Sequence, residues 1–282
     1  MDLRVGERNL ERRAPTAAAE LRASPYRGAV EHVIEEVRER LDERLPLEKL
    51  AALVHFSPYH FHRIFRRVTG LPPGRFFGAL RIEAAKRLLL TSDLTVSEIC
   101  LEVGYRSVGT FASQFSRLVG FSPRAFRELA LAGDSFTAAA VGLEPPTPPT
   151  GSKVAVKGRL ELDRGTRERL VAIGLFPVPL AAGSPVAWAV GWAPGRYEVR
   201  VDRSGSFHVV AFSVEPAEDR RALLLHGGDL RVAKSRGAVR LCAGAPPREA
   251  DLVLRPRRLV DPPILVPPVL LVAPSARADH AA

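Results

Sequence analysis

Tyr59, His62, Arg63 and Arg66 are spaced so that, on a helix, all four share one face. Each ends in a polar group, and most are cationic. The Arg63 guanidinium can give two hydrogen bonds to a guanine edge, and the His62 ring can give one. Arg66 and its neighbour Arg67 can instead hold phosphate oxygens, which fixes register without reading sequence. An ordinary solvated helix face carries similar residues, so the element that presents them decides between the two. His55, His60 and His62 resemble a metal cluster at first glance. Along a helix His60 and His62 point about 200° apart, which excludes a shared zinc. Nothing in the chain matches a nucleophile elbow, a phosphate-binding loop or a paired-carboxylate site. We therefore expect no catalytic residue, no cofactor and no metal.

The element that presents this face is legible. Ser57-Pro58 reads as a helix start, with serine capping free amides and proline at the first helical position. Phe61, Ile64, Phe65 and Val68 then form the buried stripe opposite the polar one. A shorter helix, Leu47 to Val54, precedes it. The whole unit returns downstream. Ser57, Phe61, Phe65, Arg67, Gly70, Pro73 and Phe76 correspond to Ser107, Phe111, Phe115, Arg117, Gly120, Pro123 and Phe126. Leu50, Ala51, Val54 and Phe56 correspond to Ile99, Cys100, Val103 and Tyr105, one residue out of step. A turn before each serine absorbs the slip. An internal repeat of this kind is one supersecondary unit used twice, and short helix, tight turn, second helix is a helix-turn-helix. Thr95 and Glu98 have capping-box spacing at the start of the second unit. Its outward face carries Thr110, Ser113, Gln114 and Arg117, with Val108 and Gly109 early in the helix. This copy has less charge than the first. Ser57 and Ser107 can meet phosphates at the helix N-termini, although capping alone explains them.

The chain has 282 residues, a net charge of +10 and a hydrophobic fraction of 46%. That length and apolar content allow two domains with real cores. The basic excess suggests an anionic partner, nucleic acid before membrane, although a bias toward arginine codons contributes to it. Cys100 and Cys242 sit in apolar surroundings and are expected to be small buried residues, not a disulfide. No apolar run follows Met1 and no stretch is long enough to span a bilayer. These features predict a soluble cytoplasmic protein with no membrane partner.

Taken in order, residues 1–23 read as a disordered or loosely helical arm. A helix starts at Ser24-Pro25 with Val30, Val33, Ile34, Val37 and Leu41 buried. Between the two units, a long helix from Pro73 to Thr91 is expected to bury Phe76, Leu80, Ala84 and Leu88 and to span roughly 27 Å. A last short helix begins at Ser122-Pro123, which closes a helical domain at 24–130. Residues 131–152 form a Pro-rich linker. Beyond it the helical period disappears. Val154 to Leu162 and Tyr197 to Val201 alternate as strands. The latter is expected to pair with Phe207 to Val214 as a β-hairpin across a turn at Asp202 to Ser206. Further strands are expected at Leu170–Phe176, Val186–Trp192, Ala222–Leu225, Ala238–Cys242, Asp251–Leu254 and Val269–Val272. Many short strands with Gly and Pro turns predict an all-β sandwich over 153–273, followed by a tail at 274–282. Trp188, Val190 and Trp192 share one strand face. They serve as core filling or as a stacking wall for a small ligand. Asp202, Arg203 and His208 lie around the expected hairpin.

Residues Arg27 to Leu129 resemble the DNA-binding domain of AraC/XylS-type transcription regulators. The resemblance rests on SPYHFHRIFRRVTGLPPGRF, on the helix ending RIEAAKRLLL, and on ICLEVGYRSVGTFASQFSRLVGFSPRAFR. It implies that the second helix of each unit enters a successive major-groove segment, ~34 Å or one turn apart. It also implies that the positions of Tyr59, His62, Arg63 and Arg66 include base-reading residues. The partners it implies are double-stranded DNA and RNA polymerase, with a small-molecule ligand or a homodimer served by the β segment. The domain order is reversed, since that family usually carries this module at the C-terminal end. The β segment resembles transthyretin-like or immunoglobulin-like sandwiches, mainly through PGRYEVRVDRSGSFHVV. Cys242, in LCAG, lacks the PCHR context of DNA-repair alkyltransferases, so a repair enzyme is not expected. The competing expectation is a ligand- or protein-binding sandwich tethered to nucleic acid by a nonspecific basic half.

Overall fold

The computed structural model describes residues 24–43, 45–131, 154–163, 167–214, 224–225 and 229–267. The expected arm, most of the linker, the tail and the strand expected at Val269–Val272 lie outside them. The first half holds seven helices among the described residues: α1 Ser24–Glu39, α2 Leu47–Ala52, α3 Pro58–Thr69, α4 Pro73–Thr91, α5 Val96–Glu102, α6 Val108–Val119 and α7 Pro123–Leu131.

Local chemistry sets their ends. The Ser57 and Ser107 hydroxyls accept from the backbone N–H of His60 and Thr110, and Ser122 from Ala125. Thr95 and Glu98 complete a reciprocal capping box. Gly70 and Gly120 end α3 and α6 in the left-handed region, at φ 88° and 95°, where glycine has no Cβ to clash. The repeat extends into the packing. Phe61 meets Phe65 at 5.5 Å and Phe65 meets Phe76 at 5.3 Å between ring centroids. Phe111, Phe115 and Phe126 repeat this at 5.8 and 5.6 Å. Tilted and edge-on rings at such distances add about 0.5–1.5 kcal/mol per pair beyond simple burial.

Among the described residues the second half is a nine-stranded sheet: β1 Val154–Leu162, β2 Arg169–Phe176, β3 Ala187–Ala193, β4 Gly195–Val201, β5 Gly205–Val214, β6 Arg231–Lys234, β7 Val239–Leu241, β8 Arg248–Glu249 and β9 Leu252–Pro256. Its main path runs β3-β2-β5-β6-β9-β1-β4. The end strands β3 and β4 come together, so the sheet curls into a nearly closed barrel. One cluster, including Val156, Leu160, Ile173, Val199 and Leu254, fills its interior. A second, including Phe176, Val210, Phe212 and Ile264, lies on the other face of β2, β5 and β6. This explains two burial patterns. Strand β4 alternates buried and exposed, whereas β2 and β5 end in continuous buried runs because both of their faces are covered.

Several expectations change here. Among the described residues the β half forms one curled, nearly closed sheet where two facing sheets of a sandwich are expected. Strands β4 and β5 do not form a hairpin: β4 pairs with β1, while β5 pairs with β2, β6 and β7. Alternation reports which face a residue takes, not which strand lies beside it. Leu224 and Leu225 are helical, not strand. Cys242 is exposed, while Cys100 is buried. The face expected for α4 is too narrow. Phe77, Ala79, Ile82, Ala85, Leu89 and Leu90 are also buried, and Ala84 and Leu88 only partly so. The cause is a second neighbour, since Leu180, Leu224, Val260 and Leu265 from the β half enter the helical core.

Candidate nucleic-acid interface

Helix α3 buries Phe61, Ile64 and Phe65 and turns Arg63, Arg66 and Arg67 to solvent, with His62 half-buried. Tyr59 is 79% exposed, far beyond what an aromatic ring needs for packing. Arg63 Nη2 lies 3.4 Å from His60 Nδ1. The His60 ring is itself wedged edge-on against Phe56 at 4.9 Å and Tyr26 at 6.0 Å. Helix α1, through Tyr26, and the α2–α3 turn, through Phe56, therefore brace His60, and His60 steadies Arg63. His60 is thus a supporting side chain for Arg63, not the metal ligand that its place beside His55 and His62 first suggests. Its spacing of three before Arg63 was the available sign of this role.

The turn between α2 and α3 places His55 at φ 55°, a left-handed conformation outside glycine. The corresponding turn of the second unit has Gly104 at φ 79°. The repeat thus conserves a backbone shape with two residue types. A Cβ on Gly104 would run into the Leu41 carbonyl, so this copy requires glycine.

Helix α6 presents Thr110, Ser113 and Arg117 to solvent. Gln114 is half-buried, and its Nε2 lies against Gly78 of α4. It therefore belongs partly to the packing between these helices. Val108 is 42% exposed. A cleft of about 470 Å³ opens at the start of α6, lined by Arg81, Leu101, Tyr105, Arg106, Ser107 and Thr110 among others. Burial raises the Tyr105 hydroxyl above its ordinary value, with Arg81 and Arg117 opposing. Arg81 donates to the carbonyls of Leu41 and Glu43, tying the segment ahead of α2 to α4. Arg106, exposed beside the Ser107 cap, is a cation that sequence reasoning passed over.

In the β half, Trp188 packs on the outer cluster and Trp192 is 42% exposed. A second cleft, about 610 Å³, is lined by Lys157, Arg159, Arg196, Tyr197, Glu249 and Asp251 among others. Neither cleft includes either tryptophan. Asp202 and Arg203 are exposed, and His208 is half-buried on β5, where burial and then Lys234 lower its pKa. Among the described residues no group of three or more His, Cys, Asp or Glu is arranged to hold a metal ion. No described helix is long and apolar enough to cross a membrane.

Two capped helix-turn-helix units joined by one helix define a double helix-turn-helix module. Residues 50–129 match the family model described as a helix-turn-helix domain, and this region is an AraC-type domain. Two bacterial relatives illustrate the likeness. The MmsAB operon regulatory protein of Pseudomonas aeruginosa is 39% identical over 98 residues, 35% of this chain and 32% of that protein. The bifunctional transcriptional activator/DNA repair enzyme AdaA of Bacillus subtilis is 31% identical over 100 residues, 36% of this chain and 47% of that protein. The chain thus spans less than half the length of either. Among solved structures, the DNA-binding domain of AdpA in complex with a target DNA is 36% identical and covers 35% of this chain and 89% of that one, with a TM-score of 0.34.

Proposed function

We propose that this protein is a sequence-specific, double-stranded-DNA-binding transcription regulator that reads two successive major-groove segments with α3 and α6. The carrying observation is the outward face of α3, where an exposed Arg63, held by His60, stands among Tyr59, His62, Arg66 and Arg67. A braced guanidinium suits two-point recognition of a guanine edge. Arg66 and Arg67 hold phosphates and set the register. Helix α6, with Thr110, Ser113 and Arg117, anchors more than it reads. The operon-regulator names of relatives support the regulatory role. The protein then works in the bacterial cytoplasm with RNA polymerase as a further partner, and the β half serves in sensing, partner binding or dimerisation. A binding-site selection on random duplexes tests this reading. Two enriched patches about one turn apart are expected. A selection that enriches no motif would reduce the helical half to a nonspecific tether.

A further inference from the structure

The β half touches the far ends of both recognition helices. At the end of α3, Lys234 Nζ donates to the Thr69 carbonyl at 3.1 Å. A Cβ built on Gly70 would lie 3.2 Å from Pro179 Cγ and 3.7 Å from Lys234 Nζ. At the end of α6, Gly183 N–H donates to the Leu118 carbonyl at 2.6 Å. Gly183 has φ 65°, and a Cβ there would stand 2.8 Å from the Arg117 carbonyl. Between these points, Lys86 of α4 donates to the Leu265 carbonyl at 3.2 Å, and Arg257 donates to Glu83 at 2.5 Å.

The chemistry of these contacts is matched to helix ends. The last turn of a helix leaves carbonyls unsatisfied and carries partial negative charge. Here an ammonium and a backbone N–H from the β half occupy those carbonyls. Pro179 and Gly183 belong to one short stretch between β2 and β3, whose full extension is only ~14 Å. A stretch that short, in contact with both helices, limits how far their ends can separate. Tyr59 and Thr110, near the opposite ends, and Arg63, midway along α3, stay exposed.

We propose that the β half is a spacing clamp: through Lys234 and the Pro179–Gly183 stretch it sets the separation and tilt of α3 and α6, and so decides which half-site spacing the protein accepts. This rests on the reading that both helices contact DNA. Lys234 and Gly183 are positioning residues, because they act through the helices and not on DNA. The test starts from the duplex selected by the full-length protein, remade with one base pair inserted or removed between the two patches. The affinity ratio of original to altered duplex is measured by fluorescence anisotropy for wild type, Gly183→Ala, Lys234→Met and Lys234→Arg. The ratio should fall several-fold in Gly183→Ala and Lys234→Met and be largely restored in Lys234→Arg. An unchanged ratio in variants with wild-type circular dichroism overturns the clamp and leaves the DNA-reading role intact. If wild type selects no two-part motif, the underlying reading fails and the clamp with it. Should Gly183→Ala not fold, the two Lys234 variants decide.

Discussion

At the scale of single residues, Arg63 and Lys86 make the sharpest claims. Truncating Arg63 to alanine should cost about 1–3 kcal/mol of specific DNA affinity and relax preference at one base pair. Equilibrium binding to the selected duplex and to its single-base variants checks this, and undiminished discrimination would remove Arg63 from the reading face. Lys86 is buried, with its Nζ 5.7 Å from the centroid of the Phe126 ring and bonded to the Leu265 carbonyl. Burial pulls its pKa from 10.5 to about 7, with Glu83 opposing and Arg257 assisting. Between those two values the unfolded chain holds a proton that the folded chain has released. Stability therefore rises with pH across that window, by up to ~1.4 kcal/mol per pH unit, and this contribution is lost as pH falls towards 7. Urea midpoints should climb with pH more steeply in wild type than in Lys86→Met. Parallel curves for the two proteins would show that Lys86 is not the source. Glu83 has the opposite balance: burial pushes its carboxyl up, but Arg257 and Arg38 outweigh this and hold it below the ordinary range.

At the scale of elements, the two turns give a matched comparison. His55 and Gly104 share a left-handed backbone, but only Gly104 is crowded by a carbonyl. His55→Gly relieves left-handed strain of ~1–2 kcal/mol and loosens the unfolded chain by up to about 1 kcal/mol, so its net effect should lie within about 1 kcal/mol of wild type. Gly104→Ala adds both strain and a backbone clash, and should cost on the order of 3 kcal/mol. Thermal melts of the two variants make the comparison, and equal losses would mean that the carbonyl beside Gly104 imposes no special demand on that turn. The helices themselves were legible in the sequence, because Ser-Pro starts, glycine stops and aromatic stripes are local signals. Strand β6, only Arg231–Lys234, was not. Four residues carry too little alternation to stand out, and it pairs with two strands distant in the chain.

At the scale of the whole molecule, the two halves share apolar contacts and a charged group of Arg38, Glu83 and Arg257. They should unfold together. Both tryptophans, Trp188 and Trp192, lie in β3, so their fluorescence reports the β half while helical ellipticity reports mostly the other. Wild type should show coincident transitions with the two probes. Glu83→Ala leaves Arg38 and Arg257 without their shared carboxylate and should separate the transitions. Coincident curves in that variant would mean that the apolar contacts and the hydrogen bonds of Lys86, Lys234 and Gly183 suffice to couple the halves.

The duplicated helix-turn-helix, its caps, its aromatic core and the cationic face of α3 follow from local sequence, because each depends on residues within a few turns of one another. The closure of the sheet, the pairing of β4 with β1, the burial of Lys86 and the bracing of Arg63 by His60, Phe56 and Tyr26 were decided only by the tertiary structure. Each joins segments whose local patterns suit several neighbours equally well. Hydrophobic periodicity states that a face must be covered, but which segment covers it is settled when the chain packs.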